Sequence, residues 1–313
     1  MRRVLGFCLV LLLMSLLGND GAVAGASRGG QLKTASGFSA ALGEDVRYTV
    51  YLPSGYDRDT ARRYPVLYLL HGRGDTMTAW TRVKPELDRM IAAGEIPPVL
   101  AVMPDAPWSG RGSYYVDSAY TGTDRGRPVE TALTRDLVSH VDSSLRTIPQ
   151  RSARVVGGYS MGGAGALRYA LAHQDLFEHG LVLSPAVYTP LPPADSSTRE
   201  FGAYGVGERL FDDAVYQRLN YPALLSRLRG ELPTRLYIAV GDDEWANPDP
   251  ADARHDLDFE SAALYNAARR APGVSAQLRI TDGGHDWTVW TPAFVNGLRH
   301  FAPTLAVAAG QSR

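Results

Sequence analysis

Cysteine is almost missing from this chain: Cys8 is the only one among 313 residues, and it falls inside an apolar N-terminal run. One cysteine can form no internal disulfide and no cysteine-based zinc cluster, so the fold has to stand on its core alone. Lysine is nearly as scarce, with only Lys33 and Lys84, and arginine supplies almost all of the positive charge. A net charge of −1 leaves no excess of either sign, which removes the electrostatic basis for binding nucleic acid or an anionic membrane surface. The spacings of a phosphate loop, a dinucleotide fingerprint and a zinc site are missing as well, so no cofactor and no metal are expected. There is no internal repeat. The longest apolar run, Val4 to Leu17, is too short and too near the terminus to suggest a spanning helix.

That run has a different reading. Arg2 and Arg3 precede it, and Ala22-Val23-Ala24 follows as a small-x-small site, which is the pattern of a signal peptide. Residues 1–24 are therefore expected to be removed after Ala24, leaving a secreted or periplasmic protein. Residues 25–313 suffice for one large core and are expected to form a single domain.

After a polar lead-in from Gly25 to Gly37, apolar runs alternate with helical patterns. Val46 to Leu52 alternates polar and apolar residues and predicts an antiparallel edge strand. Continuously apolar runs predict strands covered on both faces at Pro65 to Leu70, Val99 to Met103, Arg154 to Tyr159, Gly180 to Leu183 and Leu236 to Val240. Ala276 to Ile280 is a weaker candidate. Helices are predicted near Thr78 to Ala93, Pro128 to Arg146, Gly163 to His173, Asp258 to Arg270 and Pro292 to Phe301. In the second of these, Leu133, Leu137, Val141 and Leu145 form an i, i+4 stripe. Strand alternating with helix implies an α/β fold with a mostly parallel central sheet flanked by helices. Ser184 to Pro233, Pro-rich at its start and poor in strand signals, reads as an inserted cap or lid.

One segment carries chemistry. In Val155-Val156-Gly157-Gly158-Tyr159-Ser160-Met161-Gly162-Gly163 an apolar run leads into Gly-x-Ser-x-Gly, followed by a helix-forming stretch. Strand, tight turn and helix in that order make a nucleophile elbow, which holds one serine hydroxyl clear of the sheet. A serine hydroxyl at its free pKa is a poor nucleophile and needs a base, and the base needs an orienting carboxylate. His285, in Gly283-Gly284-His285-Asp286-Trp287 after the last predicted strand, is placed to be that base. His140, His173, His179, His255 and His300 lie on helices or away from the strand ends and read as structural. The acid is expected after the preceding strand, in Gly241-Asp242-Asp243-Glu244, where Glu244 is favoured and Asp243 is the alternative. The oxyanion formed on attack needs backbone N–H donors. Met161, next to the nucleophile, and Arg73, in the turn Leu70-His71-Gly72-Arg73-Gly74, are the candidates, with His71 read as structural.

These segments, with Trp80 and the stretch Trp108-Ser109-Gly110-Arg111-Gly112-Ser113-Tyr114-Tyr115-Val116-Asp117, occur in one order along most of the chain. Together they resemble the esterase D-like branch of the α/β-hydrolases. Feruloyl esterases, enterochelin esterase-like proteins, S-formylglutathione hydrolases and the mycolyltransferase antigens belong to that branch. The resemblance implies an α/β-hydrolase fold, a Ser160–His285–Glu244 triad and oxyanion amides at Arg73 and Met161. It also implies a substrate cleft lined by the Trp108 to Asp117 loop, with Trp108, Tyr114 and Tyr115 as substrate contacts or as packing residues. The expected partner is a small-molecule or carbohydrate ester, and the expected activity is carboxylesterase. An acyltransferase of the same fold, moving an acyl group to a sugar hydroxyl, is the alternative. A peptidase and a non-catalytic binding protein on this scaffold are weaker rivals, and the full set of triad residues argues against the latter.

Overall fold

The computed structural model describes residues 29–244 and 250–310. The expected signal peptide, residues 1–24, lies outside them. Eight strands form one sheet: β1 (Gln31–Ser39), β2 (Glu44–Leu52), β3 (Val66–Leu70), β4 (Leu100–Pro104), β5 (Arg154–Tyr159), β6 (His179–Leu183), β7 (Thr234–Gly241) and β8 (Val274–Thr281). Their order is β1-β2-β4-β3-β5-β6-β7-β8. The β1–β2 and β2–β4 pairs are antiparallel and every other pair is parallel. Every residue of β3, β4, β5 and β6 is buried, as expected for strands covered by helices on both sides.

One expectation about the sheet is corrected. The Val46 to Leu52 strand is not at the edge, because β2 lies between β1 and β4. The edge is β1, which forms within and beyond the polar lead-in. Its residues are mostly exposed, so no apolar pattern marks it. It is organised by its hairpin ladder to β2, closed by a turn with Gly43 at φ 71°. The other edge, β8, is also half exposed, which explains its weak sequence signal.

Alternate residues of each central strand feed two separate cores. Leu67, Leu69, Val155, Leu181 and Tyr237 face α1 (Lys84–Ala92) and the long C-terminal helix α7 (Trp287–Gly310). Val66, Tyr68, Leu70, Val156, Val182 and Ile238 face the opposite layer, built from α2 (Leu137–Ser144), α3 (Met161–Ala172) and α6 (Leu257–Ala268). The predicted Pro128 to Arg146 helix begins with a turn at Val129–Thr131 and passes through a π-helical segment at Ala132–Asp136 before α2. Leu133, Leu137 and Val141 of its stripe are buried.

The segment 184–233 carries its own short helices, α4 (Asp213–Leu219) and α5 (Tyr221–Leu225). Both start on side-chain caps: Asp212 accepts from the Val215 amide at 2.9 Å and Asn220 from the Tyr221 amide at 2.8 Å. A two-residue parallel ladder joins Ala119–Tyr120 to Val206–Gly207, tying this segment to the loop after β4.

Candidate active site

The elbow is built by two glycines. Ser160 links the end of β5 to the start of α3 with φ 57° and ψ −124°, a conformation that L-residues seldom adopt and that persists only where its surroundings impose it. A Cβ on Gly158 would lie 2.1 Å from the Gly162 carbonyl oxygen, and one on Gly162 would lie 2.2 Å from that of Leu70. Neither position admits a side chain. The Ser160 amide donates to the Leu183 carbonyl at 3.0 Å, and its own carbonyl accepts from Ala164 and Ala186, each at 3.1 Å. The turn is thus bonded to β6 and to its own helix. Ser160 is partly exposed and lines a cavity of about 430 Å³.

His285 and Glu244 line the same cavity, at the ends of the neighbouring strands β8 and β7. The His285 Nδ1 lies 2.8 Å from Glu244 Oε2. The other Glu244 oxygen, Oε1, accepts from the Gly241 amide and from the Ser184 hydroxyl, each at 2.5 Å. Asp243, the alternative acid, is exposed, as is Asp242, whose carboxylate accepts from the Gly283 amide at 3.1 Å. Of the three consecutive acids, Glu244 alone turns inward to meet the imidazole. The Trp290 indole stands edge-on to the His285 ring, with centroids 5.0 Å apart. No hydrogen bond joins Ser160 to His285 among the described residues. Such contacts commonly tighten only when substrate is bound.

The Met161 amide sits in the first turn of α3, where backbone N–H groups have no intrahelical acceptor and the helix dipole favours negative charge. Arg73 lies in the turn after β3 and lines the cavity. Its guanidinium is stacked 5.5 Å from the Phe201 ring. Among the described residues neither amide donates to a backbone acceptor. The turn is held from behind by His71, which is buried. Its Nε2 accepts from the Ala106 amide at 2.9 Å, so Nδ1 carries the proton and donates to the Gly72 carbonyl at 2.8 Å. That is the structural role expected of it.

The three aromatic candidates of the Trp108 to Asp117 loop separate. Tyr114 lines the cavity, and its hydroxyl lies 3.2 Å from both Ser197 Oγ and Thr198 Oγ1. Tyr115 points the other way and is fully buried. Its hydroxyl donates to the His71 carbonyl at 2.9 Å and its ring packs on Gly165 of α3. Trp108 does not line the cavity either; its indole donates to the Asp124 carbonyl at 3.2 Å. Of the three, only Tyr114 faces the cavity, while Trp108 and Tyr115 lie outside its lining. The reason is the backbone: Trp108, Ser109, Gly110, Arg111, Tyr114 and Tyr115 all have positive φ, so ring direction does not follow simple alternation. The remaining histidines are elsewhere. His140 meets Tyr48, His173 meets Glu130, and His255 forms a buried pair with Glu260 at 2.6 Å.

Two contributors escaped the sequence reading. Ser184, at the end of β6, touches Glu244, and Trp290 donates from Nε1 to the Ser184 hydroxyl at 2.9 Å. A polar residue ending an otherwise apolar strand was the only available signal. Beyond Gly158, Tyr159 stacks on Trp290 at 4.3 Å and donates to Asp75 at 2.5 Å, linking the elbow to the turn after β3. Burial first, then the Asp75 carboxylate, raise the pKa of this phenol and keep it neutral.

Comparison with known proteins adds to this geometry. The esterase family model matches residues 39–301. An endo-1,4-beta-xylanase/feruloyl esterase of Xylanibacter ruminicola is 27% identical over 190 residues, covering 58% of this chain and 25% of that protein. An acetyl esterase of Caldicellulosiruptor saccharolyticus is 26% identical over 243 residues, covering 74% of this chain and 80% of the relative. A ferulic acid esterase structure superimposes with a TM-score of 0.70 at 26% identity, covering 88% of this chain and 99% of the other. The chain spans 25–29% of the length of several curated relatives that it matches.

Proposed function

This chain belongs to the esterase family, and on that premise we propose that it is a serine carboxylesterase with Ser160 as nucleophile, His285 as general base and Glu244 as the orienting acid. The observation that carries the reading is the hydrogen bond from His285 Nδ1 to Glu244, with Ser160 and His285 lining the same cavity. Glu244 would fix the tautomer in which Nε2 accepts the serine proton. The Ser160 oxygen then attacks the ester carbonyl carbon. The carbonyl oxygen becomes an oxyanion facing the Met161 and Arg73 amides. His285 returns the proton to the departing alcohol as the ester bond breaks. Water, deprotonated by the same imidazole, attacks the acyl-enzyme, releases the acid and restores Ser160.

The cap side of the cavity supports a small or carbohydrate ester as substrate. Asp195, Ser196, Ser197 and Glu200 offer oxygens to a hydroxyl-bearing alcohol. The feruloyl and acetyl esterases among the relatives agree with that class. We also propose that residues 25–313 act as one domain with 184–233 as its cap, and that the N-terminal pattern around Arg2, Arg3 and Ala22 to Ala24 exports it. No helix among the described residues is long and apolar enough to cross a membrane.

The test is turnover of p-nitrophenyl acetate by purified protein, with trapping of an acyl group on Ser160 followed by mass spectrometry. Wild type should hydrolyse the ester and carry the adduct at Ser160. Hydrolysis by Ser160→Ala at the wild-type rate, or an adduct on another residue, would overturn the reading.

A further inference from the structure

We propose that Ser184 is a positioning residue for catalysis, holding Glu244 in the one rotamer that serves His285. This rests on the triad reading above. Ser184 is wholly buried, and its hydroxyl lies between two groups of fixed polarity. The Trp290 indole N–H can only donate and the Glu244 carboxylate can only accept. The direction of the chain is therefore forced: Trp290 Nε1 donates to Ser184 Oγ at 2.9 Å, and Ser184 Oγ donates to Glu244 Oε1 at 2.5 Å.

The consequence for the acid is geometric. Glu244 has two oxygens, and Oε1 is taken by both the Ser184 hydroxyl and the Gly241 amide. Two donors from different strands on one oxygen oppose rotation of the carboxylate about its last bond. Oε2 then stays at 2.8 Å from His285 Nδ1. When the imidazole takes up the serine proton, the carboxylate already lies where the new positive charge develops, with no reorganisation needed. Trp290 serves both ends of the chain, since its ring also packs edge-on against His285.

The backbone of Ser184 points the same way. It adopts φ 42°, where glycine would be unstrained, and its amide donates to the Ala239 carbonyl of β7 at 2.7 Å. A side chain kept in that strained region signals a use for it. Among the described residues, the polar contacts of the Ser184 side chain are Glu244 and Trp290.

The experiment is a double-mutant cycle on p-nitrophenyl acetate hydrolysis. Ser184→Ala should lower kcat by about 10- to 100-fold, the loss expected for a hydrogen bond to a charged group, with KM within about twofold. In a Glu244→Gln background the same change should cost little more, because the residue it acts through is already impaired. Ser184→Gly, which suits the positive φ and also lacks the hydroxyl, should reproduce the kcat loss and guards against misfolding of the alanine variant. An unchanged kcat in either single variant, or an equal loss with and without Glu244→Gln, would overturn the proposal. Should Glu244→Gln alone leave kcat intact, the triad reading itself fails; should only the Ser184 variants be silent, the triad reading stands and this inference does not.

Discussion

Neighbouring strands β5 and β6 leave the sheet in the same way, each through a serine held at positive φ, 57° at Ser160 and 42° at Ser184. Their surroundings differ completely. Ser160 is followed by a helix N-terminus and opens onto the cavity, whereas Ser184 is buried between Trp290 and Glu244. The same residue type in similar backbone strain offers a hydroxyl open to the cavity in one case and a fixed donor in the other. What the hydroxyl meets decides its chemistry, and a strand-end serine by itself does not.

That contrast can be broken by mutation. Ser160→Ala should reduce kcat for p-nitrophenyl acetate by at least about 10⁴-fold, against the smaller loss expected at Ser184. Circular dichroism should show both variants folded. Glu244→Gln should cost about 10³- to 10⁴-fold, because the imidazole loses its orienting carboxylate, while Asp243→Asn should stay within about twofold. Matching losses at the two acids, or the reverse ranking, would mean that His285 takes its partner from the exposed face of the loop.

A smaller effect is expected behind the turn after β3. Tyr115→Phe removes the hydroxyl that donates to the His71 carbonyl and should lower stability by about 1 kcal/mol in urea unfolding. KM should not move, because the ring faces α3 and not the cavity. Tyr114→Ala, by contrast, should shift KM, since Tyr114 lines the cavity.

The opposite ends of the same two strands sharpen the comparison through stability alone. β5 starts at Arg154, paired to Asp142 at 2.5 Å, and β6 starts at His179, whose Nδ1 lies 3.3 Å from the Arg154 carbonyl. Burial pushes the His179 pKa down from its usual 6.5 to about 4, partly opposed by the Glu178 charge. The folded state therefore keeps this ring neutral where the unfolded chain has begun to bind a proton. Stability from this site is present above about pH 6.5 and is lost as pH falls towards 4. Differential scanning calorimetry should show a melting temperature that declines across that window, and less steeply in His179→Gln. An identical slope in the variant would assign the acid sensitivity elsewhere.

Features encoded within a few residues were legible directly. The elbow is one: an apolar strand, glycines at 158 and 162 and a helix-forming tail lie within about a dozen positions, and Gly158 is needed within the turn itself, where a Cβ would meet the Gly162 carbonyl. The continuously apolar strands are another, since burial on both faces leaves its mark on every residue. The edge strand β1 left no such mark, because a polar strand held by one hairpin ladder reads like a loop.

The sequence by itself therefore determined the alternating α/β order, the turn around Ser160 and the loops in which His285 and its acid reside. Turning Glu244 and not Asp243 towards His285, sending Tyr115 into the core and Tyr114 into the cavity, and setting Ser184 against the carboxylate were left to the tertiary structure. Each of those outcomes depends on which way one side chain turns relative to partners 41 to 106 residues away. Local pattern records whether a residue is apolar or polar. It holds no record of which distant donor, carbonyl or ring fills the space in front of it.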